Sequence, residues 1–87
     1  MKINFEFVIR EIAGEYVLVP IGKTTAEFNG LFPLTETGAF IWNLLPDAEN
    51  EDYIVNKLLE EYEIDRETVQ TDVTQFLNKL REFRIID

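Results

Sequence analysis

The spacing of apolar residues changes near position 34, and this change constrains the fold more than any other feature of the chain. Before it, apolar side chains alternate with polar ones, as at Ile3, Phe5, Phe7 and Ile9, which is typical of a half-buried strand. After it, apolar residues recur every three or four positions, which is typical of amphipathic helices. The chain is therefore expected to form an antiparallel sheet followed by helices, as one α+β domain spanning residues 1–87.

Three strands are predicted in the first part. The alternating run and a second run at Tyr16–Val19 form a hairpin through a tight turn at Ala13-Gly14. A weaker third strand covers Phe28–Phe32, where Gly30 indicates a bulge or a close backbone approach. Pro33 is expected to end this strand.

Three helices follow, and each begins with a residue suited to N-capping: Thr35, Asn50 and Asp65. Pro46 is expected to end the first helix. Helix three carries one broad apolar face, made of Val69, Val73, Phe76, Leu77, Leu80 and Phe83. Such helices must bury their apolar faces against each other and against the sheet.

The composition argues against most kinds of catalysis. The 87 residues include no Cys, no His and no Ser, so a thiolate zinc site and a Ser or Cys nucleophile with a His base are excluded. We therefore expect a protein that is not an enzyme and needs no metal or cofactor. Eight basic residues against seventeen acidic ones give a net charge of −9, which disfavours nucleic acid as a partner.

The sequence also lacks membrane signals. No apolar run approaches the roughly 18 residues that a membrane-spanning helix needs. The segment Met1–Glu6 has neither the apolar block nor the cleavage site of a signal peptide. A cytoplasmic location with no membrane contact is the resulting expectation.

The predicted third strand is the one feature that suggests binding. As the last strand of a small sheet, Phe28–Phe32 is expected at an edge, and it has few charges to prevent pairing. An exposed edge beside an apolar helix can accept a peptide as an added strand. The N-terminus of the chain or a second copy could cover the same edge, so a homodimer and the oligomeric state stay open.

Several motifs resemble the PqqD family. The segment Leu34–Leu45, LTETGAFIWNLL, is similar to the family signature Leu-Asn-x-Thr-Gly-Ala-x-Ile-Trp-x-Leu-Leu. Leu58–Tyr62 resembles the end of the family's second helix, and Asp72–Leu80 resembles its Asp-Val-x-x-Phe-Leu-x-x-Leu helix. Arg10–Ile12 before a turn also fits, so the resemblance covers nearly the whole chain.

This resemblance implies a winged helix-turn-helix-like domain that recognises peptides rather than DNA. Family members hold the leader segment of a ribosomally made precursor peptide and present it to a modifying enzyme, which in the PQQ pathway is a radical-SAM maturase. The leader adds as a strand beside the third strand and lies against the third helix. By position, the peptide-binding residues would be Glu27, Phe28, Asn29, Gly30, Leu31, Phe32, Val69, Asp72, Val73, Phe76, Leu77 and Leu80.

Two positions depart from the family pattern. Thr35 replaces the usual Asn, which changes little because both residues cap helices. Arg84 replaces the usual Gly before the final apolar pair, and we expect this C-terminus to close differently because a left-handed conformation strains Arg. A winged-helix DNA-binding domain, or a structural and dimerisation domain, is the alternative reading.

Overall fold

The protein is described from a computed structural model that covers residues 1–28 and 30–87. The chain forms two compact units. A sheet unit comprises Phe5–Phe40, and a helical unit comprises Met1–Asn4 together with Ile41–Asp87. No helix in the described part of the chain is long and apolar enough to cross a membrane.

The sheet unit holds a three-stranded antiparallel sheet in the order β1-β2-β3. β1 (Phe7–Ile12) and β2 (Glu15–Pro20) form the predicted hairpin. Its turn residues Ala13 and Gly14 both have positive φ, 53° and 82°, as a two-residue type I′ turn requires. Residues 3–6 lie outside the sheet, so the first strand begins later than its alternation predicts.

The third strand is shifted from its predicted position. β3 is Phe32–Leu34, and Leu18↔Phe32 and Tyr16↔Leu34 are two of its pairs with β2. The prediction of Phe28–Phe32 was wrong for the described residues before Phe32, and Asn29 lies outside the described residues. Gly30 has a φ of +94°, which interrupts an extended strand. Pro33 does not end β3, because an edge strand tolerates a residue that donates no hydrogen bond.

The helices begin where the sequence predicts. α1 (Glu36–Leu44) is preceded by Thr35, whose hydroxyl accepts a hydrogen bond from Gly38 N–H at 2.9 Å. α2 (Glu51–Glu61) is capped by Asn50, and α3 (Arg66–Glu82) is capped by Asp65. After α1 a short 3₁₀ segment, Leu45–Asp47, contains Pro46. The predicted α+β class, three antiparallel strands followed by three helices, is confirmed.

Both ends of the chain meet in the helical unit. Asn4 N–H donates to the Ile85 carbonyl at 2.8 Å, and Ile3 forms a β-bridge with Ile86. Ile85 and Ile86 are buried, at 0% and 3% exposure, so the apolar pair after α3 packs into the helical unit. The terminal amine of Met1 donates to the Leu45 carbonyl at 2.6 Å and also to that of Ala48.

The end of α3 corrects the expectation about Arg84. This residue has a φ of +59°, so it adopts the left-handed conformation that a Gly would take. Arg84 N–H donates to the Arg81 carbonyl at 3.0 Å, and Ile85 N–H donates to the Leu80 carbonyl at 2.9 Å. These two bonds define a Schellman motif. Ile85 and Leu80 are both fully buried, at 0% exposure, and burying these apolar side chains offsets the strain at Arg84.

Candidate functional site

The outer side of β3 is an edge of the sheet, as the sequence predicts for the third strand. Among residues 1–28 and 30–87, β3 pairs only with β2, because β2 is the central strand. The other edge is β1, whose C-terminal half carries the exposed charged residues Arg10 and Glu11. Charged side chains discourage strand addition, so β3 is the better candidate for accepting another strand.

The pairing register determines which backbone groups face this edge. A two-residue turn makes Ile12 and Glu15 a hydrogen-bonded pair, and such pairs alternate with non-hydrogen-bonded pairs along the ladder. The 3.0 Å bond from Ile21 N–H to the Glu6 carbonyl continues the same alternation beyond the strands. Every second residue of β2 from Glu15 onward therefore points its backbone groups at β1, and the residues between point at β3.

This alternation continues into β3. Tyr16 and Leu18 point toward β3, so their partners Leu34 and Phe32 point back toward β2. Pro33 lies opposite Val17 in a non-hydrogen-bonded pair and therefore turns its carbonyl outward. Proline has no N–H, so the centre of this edge offers an acceptor and no donor.

Leu31 precedes β3 and extends the same edge. The Phe32 N–H points toward β2, so the Leu31 carbonyl, on the opposite side of the same trans peptide, points outward. Its side chain is 56% exposed, which makes it one of the most exposed large apolar residues of the chain. Leu31 therefore combines an outward backbone acceptor with an exposed apolar side chain, and an added strand can use both.

The remaining predicted strand residues lie in the segment before Leu31. Phe28 is half-buried and packs edge-to-face on Phe5 and Phe7, with ring centroids 4.9 and 5.3 Å apart. The N–H groups of Glu27 and Phe28 both donate to the Thr24 carbonyl, at 2.9 and 3.0 Å. Phe28 thus anchors this segment to the sheet unit, while Glu27 and Gly30 are exposed.

The predicted helix residues are placed differently. Four of them are buried in the helical unit, at 0–3% exposure: Val69, Val73, Leu77 and Leu80. Asp72 is exposed, and Phe76 is half-buried. Only Asp72 and Phe76 thus present substantial surface to solvent. Whether any of these six residues contacts a peptide stays a prediction.

A cleft lies beside β3. It has a volume of about 580 Å³ and is lined by Glu11, Gly14, Glu15, Tyr16, Pro33, Leu34, Thr35 and Glu36. These residues come from the hairpin and from the junction between β3 and α1, so no single stretch of sequence indicates them. The cleft makes the Leu34 end of the β3 edge acidic.

Asp65 is the titratable group that the fold affects most clearly. Hydrogen bonds from the Thr68 hydroxyl and then from the Thr68 N–H lower the pKa of its carboxyl below the ordinary 3.8. The Thr68 N–H bond is the N-cap of α3, at 3.0 Å. Nothing in this arrangement resembles an acid–base pair, and the described residues contain no group of three His, Cys, Asp or Glu side chains suited to a metal.

These features define a small α+β protein. Among its described residues the outer side of β3 pairs with no other strand, and the ring contacts of Phe28 anchor the segment that precedes β3 in the chain. The family model for coenzyme PQQ synthesis protein D, PqqD, matches residues 15–86, so the chain belongs to the PqqD family. A structure described as TbiB1 in complex with the TbiA(beta) leader peptide is similar, with a TM-score of 0.73 and 32% sequence identity. The similarity covers 100% of this chain and 95% of that one. No curated protein matches the chain significantly.

Proposed function

We propose that this protein is a non-catalytic peptide-binding partner that holds the leader segment of a ribosomally made precursor peptide. Membership of the PqqD family and the leader peptide bound to the similar protein TbiB1 support this function. The observation that carries the proposal is the β3 edge, which pairs with no second strand among the described residues and is preceded by the exposed apolar side chain of Leu31.

The leader binds by strand addition to β3. Its backbone donates to the outward carbonyls of Leu31 and Pro33. An apolar leader side chain packs on Leu31. The proposed binding segment also includes Glu27, Gly30, Phe32 and the predicted residue Asn29. Phe28 holds this segment in place through its ring contacts.

The family resemblance also assigns residues of α3 to leader binding, and this part of the proposal concerns the helical unit by itself. Phe76 and Asp72 are the residues of the predicted set that reach solvent, so they are the ones that contact the leader. Val69, Val73, Leu77 and Leu80 are buried and act by holding the shape of the helix surface. Replacing either solvent-accessible residue tests this part separately from the strand edge.

The protein acts with a modifying enzyme in the cytoplasm. A chain without Cys, His or Ser leaves the chemistry to that partner, and in this proposal the partner is a radical-SAM maturase. Nothing in the chain selects PQQ over another product of such pathways.

An NMR titration of the ¹⁵N-labelled protein tests the function directly. The ligands are leader segments of short peptides encoded near the gene. Saturable shifts on residues 27–32 and on α3 are expected for the true leader. Saturable shifts confined to β1 would place the peptide on the other edge of the sheet and contradict the proposed site.

A matched pair of variants tests the contribution of Leu31. Leu31→Ala removes an exposed apolar side chain at the β3 edge and should weaken leader binding about tenfold, the loss typical of an interface anchor. Ile12→Ala removes a side chain of similar exposure, 53% against 56%, at the β1 edge and should leave the affinity unchanged. Equal effects in isothermal titration calorimetry, with both variants folded by circular dichroism, would refute the assignment.

A further inference from the structure

Pro33 is an unusual residue for the centre of a strand-adding edge. Edges that bind peptides rely on backbone hydrogen bonds for affinity, and proline removes the donor from the position where it stands. The ladder alternation places this missing donor on the outward side of β3, toward any incoming strand. The strand pairing with β2 is not affected, because the neighbours Phe32 and Leu34 carry it.

The missing donor at Pro33 affects the hydrogen bonds that an incoming strand can make. Such a strand can donate an N–H to the outward carbonyl of Leu31. At Pro33 it can donate an N–H, but its own carbonyl meets no donor and loses its contact with water. An unsatisfied carbonyl of this kind weakens pairing roughly tenfold.

We propose that Pro33 determines the specificity of the β3 edge by excluding strands that bind through backbone hydrogen bonds alone. This inference rests on the proposed peptide-binding role of that edge. The excluded strands include unrelated extended peptides and the β3 edge of a second copy. A leader overcomes the missing bond only if its side chains also pack on the protein, for example on the exposed side chain of Leu31.

Pairing between the β3 edges of two copies of the protein is the interaction that Pro33 most needs to prevent. β3 has no charged side chain of its own, and prolines and charges are the usual means by which natural edges avoid aggregation. The net charge of −9 also repels a second copy, but salt screens that repulsion. Pro33 acts at any ionic strength, so the two effects can be separated by salt.

Sedimentation velocity of the peptide-free protein gives the first test. Pro33→Ala restores the outward N–H, and in about 0.5 M NaCl it should self-associate at roughly tenfold lower concentration than the unmodified protein. Pro46→Ala removes a proline from the 3₁₀ segment after α1, which is not part of the sheet unit, and should sediment like the unmodified protein. Equal association of the unmodified protein and Pro33→Ala would overturn the proposal.

Hydrogen exchange by NMR tests the geometry behind this result. The amide that Pro33→Ala introduces should exchange quickly in the dilute monomer and become protected when the protein associates or binds a leader. Protection in the dilute monomer would mean that the amide points inward to β2, which would refute the assignment of Pro33 to the outer side.

The final test compares a leader found by titration with a scrambled peptide of the same composition. Pro33→Ala should raise the affinity for the scrambled peptide about tenfold and the affinity for the leader by less, so the ratio of the two affinities falls. Unchanged affinity for the scrambled peptide would contradict the role of Pro33. If no leader binds the unmodified protein, the proposed function fails, and sedimentation still decides whether Pro33 protects the edge.

Discussion

Arg84 shows how a single residue is held in an unfavourable conformation by its neighbours. Its φ of +59° lies in the left-handed region, which costs an L-residue roughly 1–2 kcal/mol. The residue stays there because Ile85, which is fully buried, donates back to the Leu80 carbonyl and closes the Schellman motif. The fold therefore stores a small strain at the end of α3.

Arg84→Gly should relieve this strain and stabilise the protein by about 0.5–1 kcal/mol, after the greater chain entropy of Gly in the unfolded state is subtracted. Urea denaturation followed by circular dichroism measures the change. Glu82→Gly is the matched control, because Glu82 ends the regular helix and Gly there should destabilise by about 0.5–1 kcal/mol. A destabilised Arg84→Gly would contradict the strain argument.

Prediction from sequence works well for single residues whose role is local. Thr35, Asn50 and Asp65 cap the helices as expected, because a cap depends on a side chain and the amide groups two or three positions later. Arg84 could not be predicted in this way. Its conformation is decided by the burial of Ile85, which depends on packing in the helical unit.

At the level of elements, the third strand is the instructive case. The run Phe28–Phe32 alternates well enough to resemble a strand, and Pro33 resembles a terminator. In the structure the strand begins at Phe32 and includes Pro33, because tertiary pairing with β2 outweighs the local signal. The edge was predictable from the order of elements, whereas its register and the outward direction of Pro33 required the pairing itself.

The capping of α3 gives a prediction for the whole helix. The pKa of Asp65 is lowered in the folded protein by its bonds to Thr68, so its ionised form favours folding. This contribution is complete above the unfolded-state pKa and is lost as the pH falls through the lower folded-state value. Stability in acid should therefore fall partly because α3 loses its charged cap.

Asp65→Asn isolates this effect, because Asn is also a good N-cap but does not titrate. The difference in Tm between the two proteins should be constant near neutral pH and should change in favour of Asp65→Asn as the pH falls below about 4. Thermal melts across a pH series measure it. A difference that does not vary with pH would show that the Asp65 charge adds nothing to the cap.

At the scale of the whole molecule, the distribution of charge favours a peptide over DNA as the partner. The family resemblance implies a winged-helix-like domain, a type of fold that often binds DNA through a basic helix. Here the two Arg side chains of α3 are engaged within the protein. Arg66 donates to the Asn56 side chain at 2.8 Å, and Arg81 lies 3.9 Å from the Glu51 carboxylate. Glu67, Asp72 and Glu82 on the same helix add negative charge.

The protein should therefore not bind duplex DNA at physiological salt. Non-specific binding needs cations to displace the counterions of the phosphates, and a chain with a net charge of −9 repels the duplex instead. Fluorescence anisotropy of a labelled duplex in about 0.15 M salt should show no saturable change up to roughly 10⁻⁴ M protein, the weak end of ordinary non-specific binding. The leader found by titration serves as the positive control in the same buffer. A saturable signal that weakens steeply with added salt would identify a basic face that the charges of α3 do not reveal, and would restore DNA as a partner.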